Sequence, residues 1–351
     1  MNYKLLKQLC TANGISGDEG NVRDIIINEI ESYANIIKEV DKNAIDYFTD
    51  NLGNIIVFKK GKEKPENKLM ISAHMDEVGF IVTDITSDGL IKFDEVGGID
   101  RRVLLGRTVL INNKTYGVIG TMPVHLCSSD EMKKIPAYSD MYIDIGADSK
   151  EQAQSVVNLG DSITFEALYE DNGHTIRSKA IDDRAGCFMM IEMIKSELDF
   201  DTHFAFVVQE ETGLNGAKTA AYTVNPDFAI VLESTTAADV PDVASTKQCC
   251  NVGDGAVIGY MDKRTIYDKA LIKKAQELAT ANNNKMQFKR AVAGGNDAGV
   301  IHNSRGGVRT LAISLPCRYL HSQTSLIAKS DIKHTYKLAK LLANEIAGGN
   351  V

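Results

Sequence analysis

The stretch FAFVVQEETGLNG, residues 204–216, runs five apolar residues straight into Gln209, Glu210 and Glu211, and then into Gly213 and Gly216. A short unbroken apolar run closed by a glycine turn is the pattern of a strand buried on both faces, as in the parallel sheet of an α/β protein. Two adjacent carboxylates at the mouth of such a strand repel each other and resist desolvation. Their position therefore calls for a partner of opposite charge.

Outward from this strand the chain alternates. Helical periodicity covers residues 4–10 and 21–37, with Ser16 and Asp18 near the start of the second helix and Val22, Ile25, Ile26 and Ile30 along one face. Residues 54–59 and 68–73 read as two strands of a hairpin around a charged turn. Further on come a helix beginning at DDRAG, a helix over 215–222, a strand over 228–232, a helix over 265–282, a strand over 310–315 and a final helix over 330–347. From about residue 77 to 164 the texture changes to short strands and frequent turns such as TSDG, EVGG and NNKTYG, the marks of a small β module. The expected architecture is α/β, a mixed sheet with helices on both faces, formed by residues 1–77 and 166–351 and interrupted by a β-rich domain at 78–165.

The composition bounds the function. A chain of 351 residues with 44% hydrophobic and 25% charged residues can bury a large core. Its net charge of −8 argues against nucleic acid as a partner. No apolar run approaches the roughly 20 residues of a membrane span. Six cysteines without a CxxC pair fit a reduced, cytoplasmic protein better than a disulfide framework.

In a sheet of this kind ligands bind at the carboxyl ends of the strands. Those ends carry His74, Asp76 and Glu77 after KLMISA, Glu210 and Glu211 after FAFVVQ, Glu233 after FAIVL, and His321 beyond TLAISLP. SKAIDDRAG adds Asp182 and Asp183 before a helix. Each alone has a plain reading: a structural histidine, a helix cap, a solvated strand end. Together, imidazoles and carboxylates without thiolates suit Zn²⁺ or Co²⁺, with Mn²⁺ also compatible. Two histidines and three ligating carboxylates make up a two-metal site, with a further carboxylate free to act as a base. A glycoside hydrolase using paired carboxylates such as Glu210 and Glu233 is the alternative, and a non-catalytic peptide-binding scaffold is a third.

ISAHMDEVGF, SKAIDDRAG, VVQEETGLNGA, GGNDAGVIHNSRGGV and RYLHS resemble, in order and spacing, the tetrahedral (TET) metallo-aminopeptidases, which include glutamyl and deblocking aminopeptidases and members labelled endoglucanase M. The likeness covers nearly the whole chain. It implies a zinc-aminopeptidase-like fold whose inserted domain mediates dimerisation, with dimers building a tetrahedral dodecamer. It implies peptide substrates shortened one residue at a time from the N-terminus, by a water that two divalent ions hold and Glu210 deprotonates. His74 would bind one ion and His321 the other, Asp182 would bridge them, and Glu211 and Glu233 would complete the two sets. Asp76 would orient His74, and the peptide bond after Asp182 would be cis. Two positions depart from the family pattern: Glu233 stands where many members carry Asp, and GGNDA has Asn296 where GGTDA is common. The five other histidines, at 125, 174, 203, 302 and 334, fall outside these motifs.

Overall fold

The computed structural model describes residues 1–38, 41 and 43–351. Two helices, α1 (Tyr3–Thr11) and α2 (Gly20–Lys38), precede strands β1 (Ile45–Thr49), β2 (Ile55–Lys59) and β3 (Leu69–His74). Six short strands follow: β4 (Gly79–Ile85), β5 (Ile91–Val96), β6 (Thr108–Ile111), β7 (Thr115–Gly120), β8 (Tyr142–Asp144) and β9 (Ser162–Phe165), with helix α3 (Lys150–Gln154) before the last. The chain continues through β10 (Glu170–Asp171), β11 (Thr175–Ser178), α4 (Ile181–Ile194), β12 (Thr202–Val207), α5 (Asn215–Val224), β13 (Phe228–Thr236) and β14 (Ala256–Ile258). It ends with α6 (Lys269–Ala281), β15 (Met286–Phe288), α7 (Ala298–Ile301), β16 (Arg309–Cys317), β17 (Ser325–Ala328) and α8 (Lys329–Ala347).

Eight strands form one sheet in the order β1-β2-β12-β3-β13-β16-β14-β15. Its centre, β12, β3, β13 and β16, is parallel, and β2 and β14 flank it antiparallel. The centre is parallel because its strands are apolar throughout: every residue of β3 is buried, and so are eight of the nine in β13. Helix α4 packs against β3 and β13 and is apolar on all sides, its residues Ala185 to Ile191 all buried, as expected of a helix enclosed within the core.

The expected hairpin between residues 54–59 and 68–73 does not form. β12 lies between the two strands, with Phe204 paired to Val57 on one side and to Ile71 on the other. The intervening segment is held elsewhere, where the Lys62 and Glu63 amides donate to the carbonyls of Leu198 and Asp199. The helix expected over 265–282 begins at Lys269, because Asp268 accepts the amides of Ala270 and Leu271 and so caps it.

The strands between Gly79 and Phe165 close into a barrel in the order β4-β5-β8-β7-β6-β9. It has its own core, in which the ring of Phe80 meets Phe93 and Phe165 edge-on at 5.1 and 5.4 Å. At its junction with the α/β body Gly79 has no room for a side chain, since a Cβ would lie 2.3 Å from Ile15 Cγ2. Among the described residues all six cysteines are free, and no helix is long and apolar enough to cross a membrane.

Candidate metal centre

The carboxyl ends of the parallel strands bring the expected residues together. His74 closes β3, Glu210 and Glu211 follow β12, Glu233 lies in β13, His321 follows β16, and Asp182 opens α4. The Asp182–Asp183 peptide is cis. Asp183 turns back into the helix, where its Oδ1 accepts the Gly186 amide at 3.0 Å; a Cβ at residue 186 would lie 2.2 Å from Asp183 Oδ2, so only glycine fits there.

Asp182 faces both histidines with different oxygens. Its Oδ1 lies 3.5 Å from His74 Nε2, and its Oδ2 lies 3.4 Å from His321 Nε2. Glu233 Oε1 is 3.5 Å from His74 Nε2, and Glu211 Oε1 is 3.2 Å from His321 Nε2. Among the described residues three overlapping donor groups result, His74–Asp182–Glu233, Asp182–Glu211–His321 and His74–Glu210–Glu211.

Both imidazoles are held in a defined tautomer. His74 Nδ1 donates to the Asp76 carbonyl at 3.0 Å, and His321 Nδ1 donates to the Gly98 carbonyl at 2.8 Å. A carbonyl can only accept, so each Nδ1 carries a proton and each Nε2 turns its lone pair toward the carboxylates when the ring is neutral. Gly98 belongs to the barrel, between β5 and β6.

Asp76 itself is fully buried and does not line the central cavity. Its carboxylate accepts the Ser16 hydroxyl at 2.6 Å and the amides of Glu210 and Glu211 at 3.0 and 3.1 Å, and its Oδ1 stands 3.4 Å from His74 Nδ1. It thus ties two ligand-bearing strand ends together. Glu19 Oε1 accepts the next amide along, that of Gln209, at 3.2 Å. Ser16 and Asp18 are therefore not helix caps. Ser16 supports the site, and Asp18 accepts the Ser162 hydroxyl from the barrel. The Ser16–Glu19 spacing imitates a capping box, but the Ser16 hydroxyl reaches Asp76, 60 residues away, and Glu19 Oε1 accepts the Gln209 amide, 190 residues away, beside the local Gly17 amide at 2.7 Å.

Beneath these residues Arg184 is wholly buried and fully bonded. It donates to the carbonyls of Met75, Leu9, Ala12 and Gly14 and to Glu77. Glu77 also binds Lys179 at 2.6 Å. A buried guanidinium is tolerable only when its donors are satisfied in this way. Asn296 donates to the Tyr267 hydroxyl at 3.0 Å and accepts the Ala298 amide at 2.9 Å, so it joins α7 to the cavity wall. Asp297, absent from the expected set, is buried near Glu210 with neither oxygen bonded.

The electrostatics show a deficit of positive charge. Burial raises the proton affinity of Glu210 and Glu233 well above the usual carboxylate range; His74 opposes this, and Asp297 and Asp182 respectively reinforce it. Burial raises Glu211 as well, and it lifts Asp297 to about 7. Burial works against protonation of the histidines, yet Glu233, Asp182 and Asp76 hold His74 well above its ordinary value, and Asp182 and Glu211 hold His321 at about 11. Asp182 is pushed down by the two histidines despite its burial. With its own charges alone, the site must take up protons to offset its carboxylates. Asp182 Oδ1 and Glu233 Oε2 are buried without a hydrogen-bond partner. Of these, Asp182 Oδ1 faces His74 Nε2, whereas the Glu233 oxygen nearest His74 is Oε1, which also accepts the Ser234 amide. Buried carboxylate oxygens beside imidazole nitrogens fit divalent cations with mixed nitrogen and oxygen coordination.

An α/β sheet with this donor set at its carboxyl edge is the frame of a metal-dependent hydrolase. Residues 53–338 match the M42 glutamyl aminopeptidase family, and the chain belongs to that family, whose members are metal-dependent peptide hydrolases. It is 32% identical to the glutamyl aminopeptidase of Lactococcus lactis, over 94% of this chain and 92% of that protein. It is 30% identical to the lysyl aminopeptidase of Pyrococcus furiosus, over 99% and 98%. Among solved structures, a TET aminopeptidase from a marine sediment Thaumarchaeota archaeon superposes with a TM-score of 0.90 at 33% identity, covering 97% of this chain and 95% of that one. The Pyrococcus horikoshii TET1 peptidase, which can assemble into a tetrahedron or a large octahedral shell, superposes with 0.81 at 35% identity, covering 98% and 99%.

Proposed function

We propose that this protein is a dinuclear-metal aminopeptidase that removes the N-terminal residue of peptides, with Glu210 as general base. The observation that carries this reading is the double exposure of Asp182, one oxygen toward His74 and the other toward His321. His74, Asp182 and Glu233 would hold one ion, and Asp182, Glu211 and His321 the other. Zn²⁺ or Co²⁺ suits the donors, and Mn²⁺ is compatible. Such ions supply Lewis acidity toward a carbonyl oxygen and lower the pKa of water.

The chain's own residues supply the remainder. Glu210 borders the cavity, and its backbone amide is fixed by Asp76. Its carboxylate takes the proton of the attacking water and passes it to the departing amine. Asp76 acts by position: it sets the Glu210–Glu211 backbone and stands behind His74. A glycoside hydrolase would need only two carboxylates and gives no role to the two oriented histidines. The six free thiols fit a cytoplasmic setting.

Stripping with EDTA is expected to abolish hydrolysis of aminoacyl-p-nitroanilides, and about two equivalents of Co²⁺ or Zn²⁺ per chain to restore it. Full activity in the stripped protein would sink the proposal, and cellulose hydrolysis indifferent to EDTA would favour the glycosidase.

The barrel serves, in this reading, as the dimerisation domain of a tetrahedral dodecamer. It exposes Tyr116, Val118, Met122, Val124 and Leu126, an apolar set that a single chain in water would leave uncovered. The assembly behaviour of the P. horikoshii TET1 peptidase supports the same reading. Light scattering is expected to give about twelve chains for the wild type and a smaller species for Val124→Asp combined with Leu126→Asp. A monomeric wild type would refute the assembly.

A further inference from the structure

Family membership leaves the preferred N-terminal residue open, since a glutamyl and a lysyl aminopeptidase match this chain about equally well. The cavity beside the metal centre, about 380 Å³, narrows the choice. Away from the candidate ligands and Glu210 its walls carry one carboxylate side chain, Asp262, and one amine side chain, Lys289.

Asp262 is spent. Its Oδ1 accepts the amides of Arg264 and Thr265 at 2.7 and 2.8 Å, and its Oδ2 accepts the Tyr267 hydroxyl at 2.6 Å. It is buried and does the work of a turn. Lys289 is different. Its Nζ donates to the Ala293 carbonyl at 3.0 Å, and no carboxylate among the described residues pairs with it. An ammonium has three donors, so two remain for a ligand. The rest of the wall, including Thr236, Met261, Tyr267 and Gly295, is uncharged. The one free charge offered to a substrate side chain is therefore positive.

We infer that Lys289 is the specificity-determining residue of this site and selects peptides with an N-terminal glutamate or aspartate. The inference rests on the aminopeptidase reading above. The carboxylate of the leading residue meets the ammonium while its α-amine and scissile carbonyl stay at the metal centre. A leading lysine or arginine would bring like charges together in a partly desolvated pocket, which is unfavourable.

The test compares kcat/KM of the metal-loaded enzyme on the p-nitroanilides of glutamate, aspartate, leucine and lysine, which have no free C-terminal carboxylate. The wild type is expected to prefer the acidic pair. Lys289→Met should lower the Glu-to-Leu rate ratio about 30-fold, the scale of a lost charge-assisted hydrogen bond. Lys289→Arg should retain the preference, and Lys289→Glu should shift it toward lysine. A wild type that prefers leucine or lysine overturns the inference, as does a ratio unmoved in Lys289→Met with two ions still bound. Lys289 acting only on free C-terminal carboxylates, seen as faster cleavage of Leu-Ala than of its amide with no acidic preference, also overturns it. No turnover of any of the four substrates by the metal-loaded wild type would instead remove the aminopeptidase reading itself.

Discussion

Glu210→Gln is expected to retain both metal ions and lose turnover by about 10³-fold, close to 4 kcal/mol of transition-state stabilisation. The amide has nearly the shape of the carboxylate, and the backbone amide of residue 210 still donates to Asp76. Folding and metal content should therefore survive. What is lost is a group able to take up a proton and release it. The neighbouring change, Glu211→Gln, should behave differently. It removes the negative charge and one of the two oxygens from the group that faces His321 Nε2 at 3.2 Å, so metal content should fall first and activity with it. Measuring bound metal and kcat on both variants separates two carboxylates that adjoin in sequence. A Glu210→Gln enzyme with near wild-type kcat and full metal content would mean that another group is the base.

Asp182→Asn should affect both ions at once. The wild-type carboxylate presents one oxygen to each half of the site. An asparagine keeps one oxygen and replaces the other with an NH₂ that cannot ligate. Whichever way the amide turns, one histidine loses its shared partner and two ions are left without the charge between them. Loss of a residue that merely supports a ligand typically weakens metal binding by 10–100-fold. Loss of a bridging ligand should exceed about 100-fold at one position at least, with activity falling in parallel. Titration of the metal-free variant with Co²⁺, followed by its absorption, checks this. Two ions bound as tightly as in the wild type would remove Asp182 from the bridging role.

How far the fold could be read depended on burial. The strands at residues 69–74 and 228–236 are buried along almost their whole length, so a continuous apolar run announced them. β1 escaped notice because only Ile45 of its five residues is buried; an edge strand has little apolar pattern to show. The false hairpin came from assuming that neighbours in sequence pair in space, whereas the hydrogen-bonding edges that β2 and β3 would have offered each other are both taken by β12, which arrives more than 120 residues later.

The site divides along the same line. His74, Asp182, Glu210, Glu211 and His321 stand at or just beyond strand or helix ends, and Glu233 lies three residues before the end of β13, which runs on to Thr236 rather than stopping at Leu232; their chemical types suit one another. Ser16 and Glu19 reach across 60 and 190 residues, and Asp297 comes near Glu210 only in the folded chain; no local spacing encodes these approaches. Lys289 gave no signal at all, because a lysine near the end of a strand is ordinarily a solvated charge; its meaning comes from the cavity that encloses it.

The hydrogen bond from His321 Nδ1 to the Gly98 carbonyl bears on how such an enzyme can be rebuilt. The inserted barrel has its own closed sheet and core, and so looks like a cassette that could be cut out or exchanged. Yet it lends one backbone carbonyl to the centre, and that carbonyl sets which nitrogen of His321 faces inward. Any graft at this junction inherits a requirement on the loop between β5 and β6 to within the length of a hydrogen bond. A barrel swapped in from another source can fold, assemble and still leave His321 free to turn its ring.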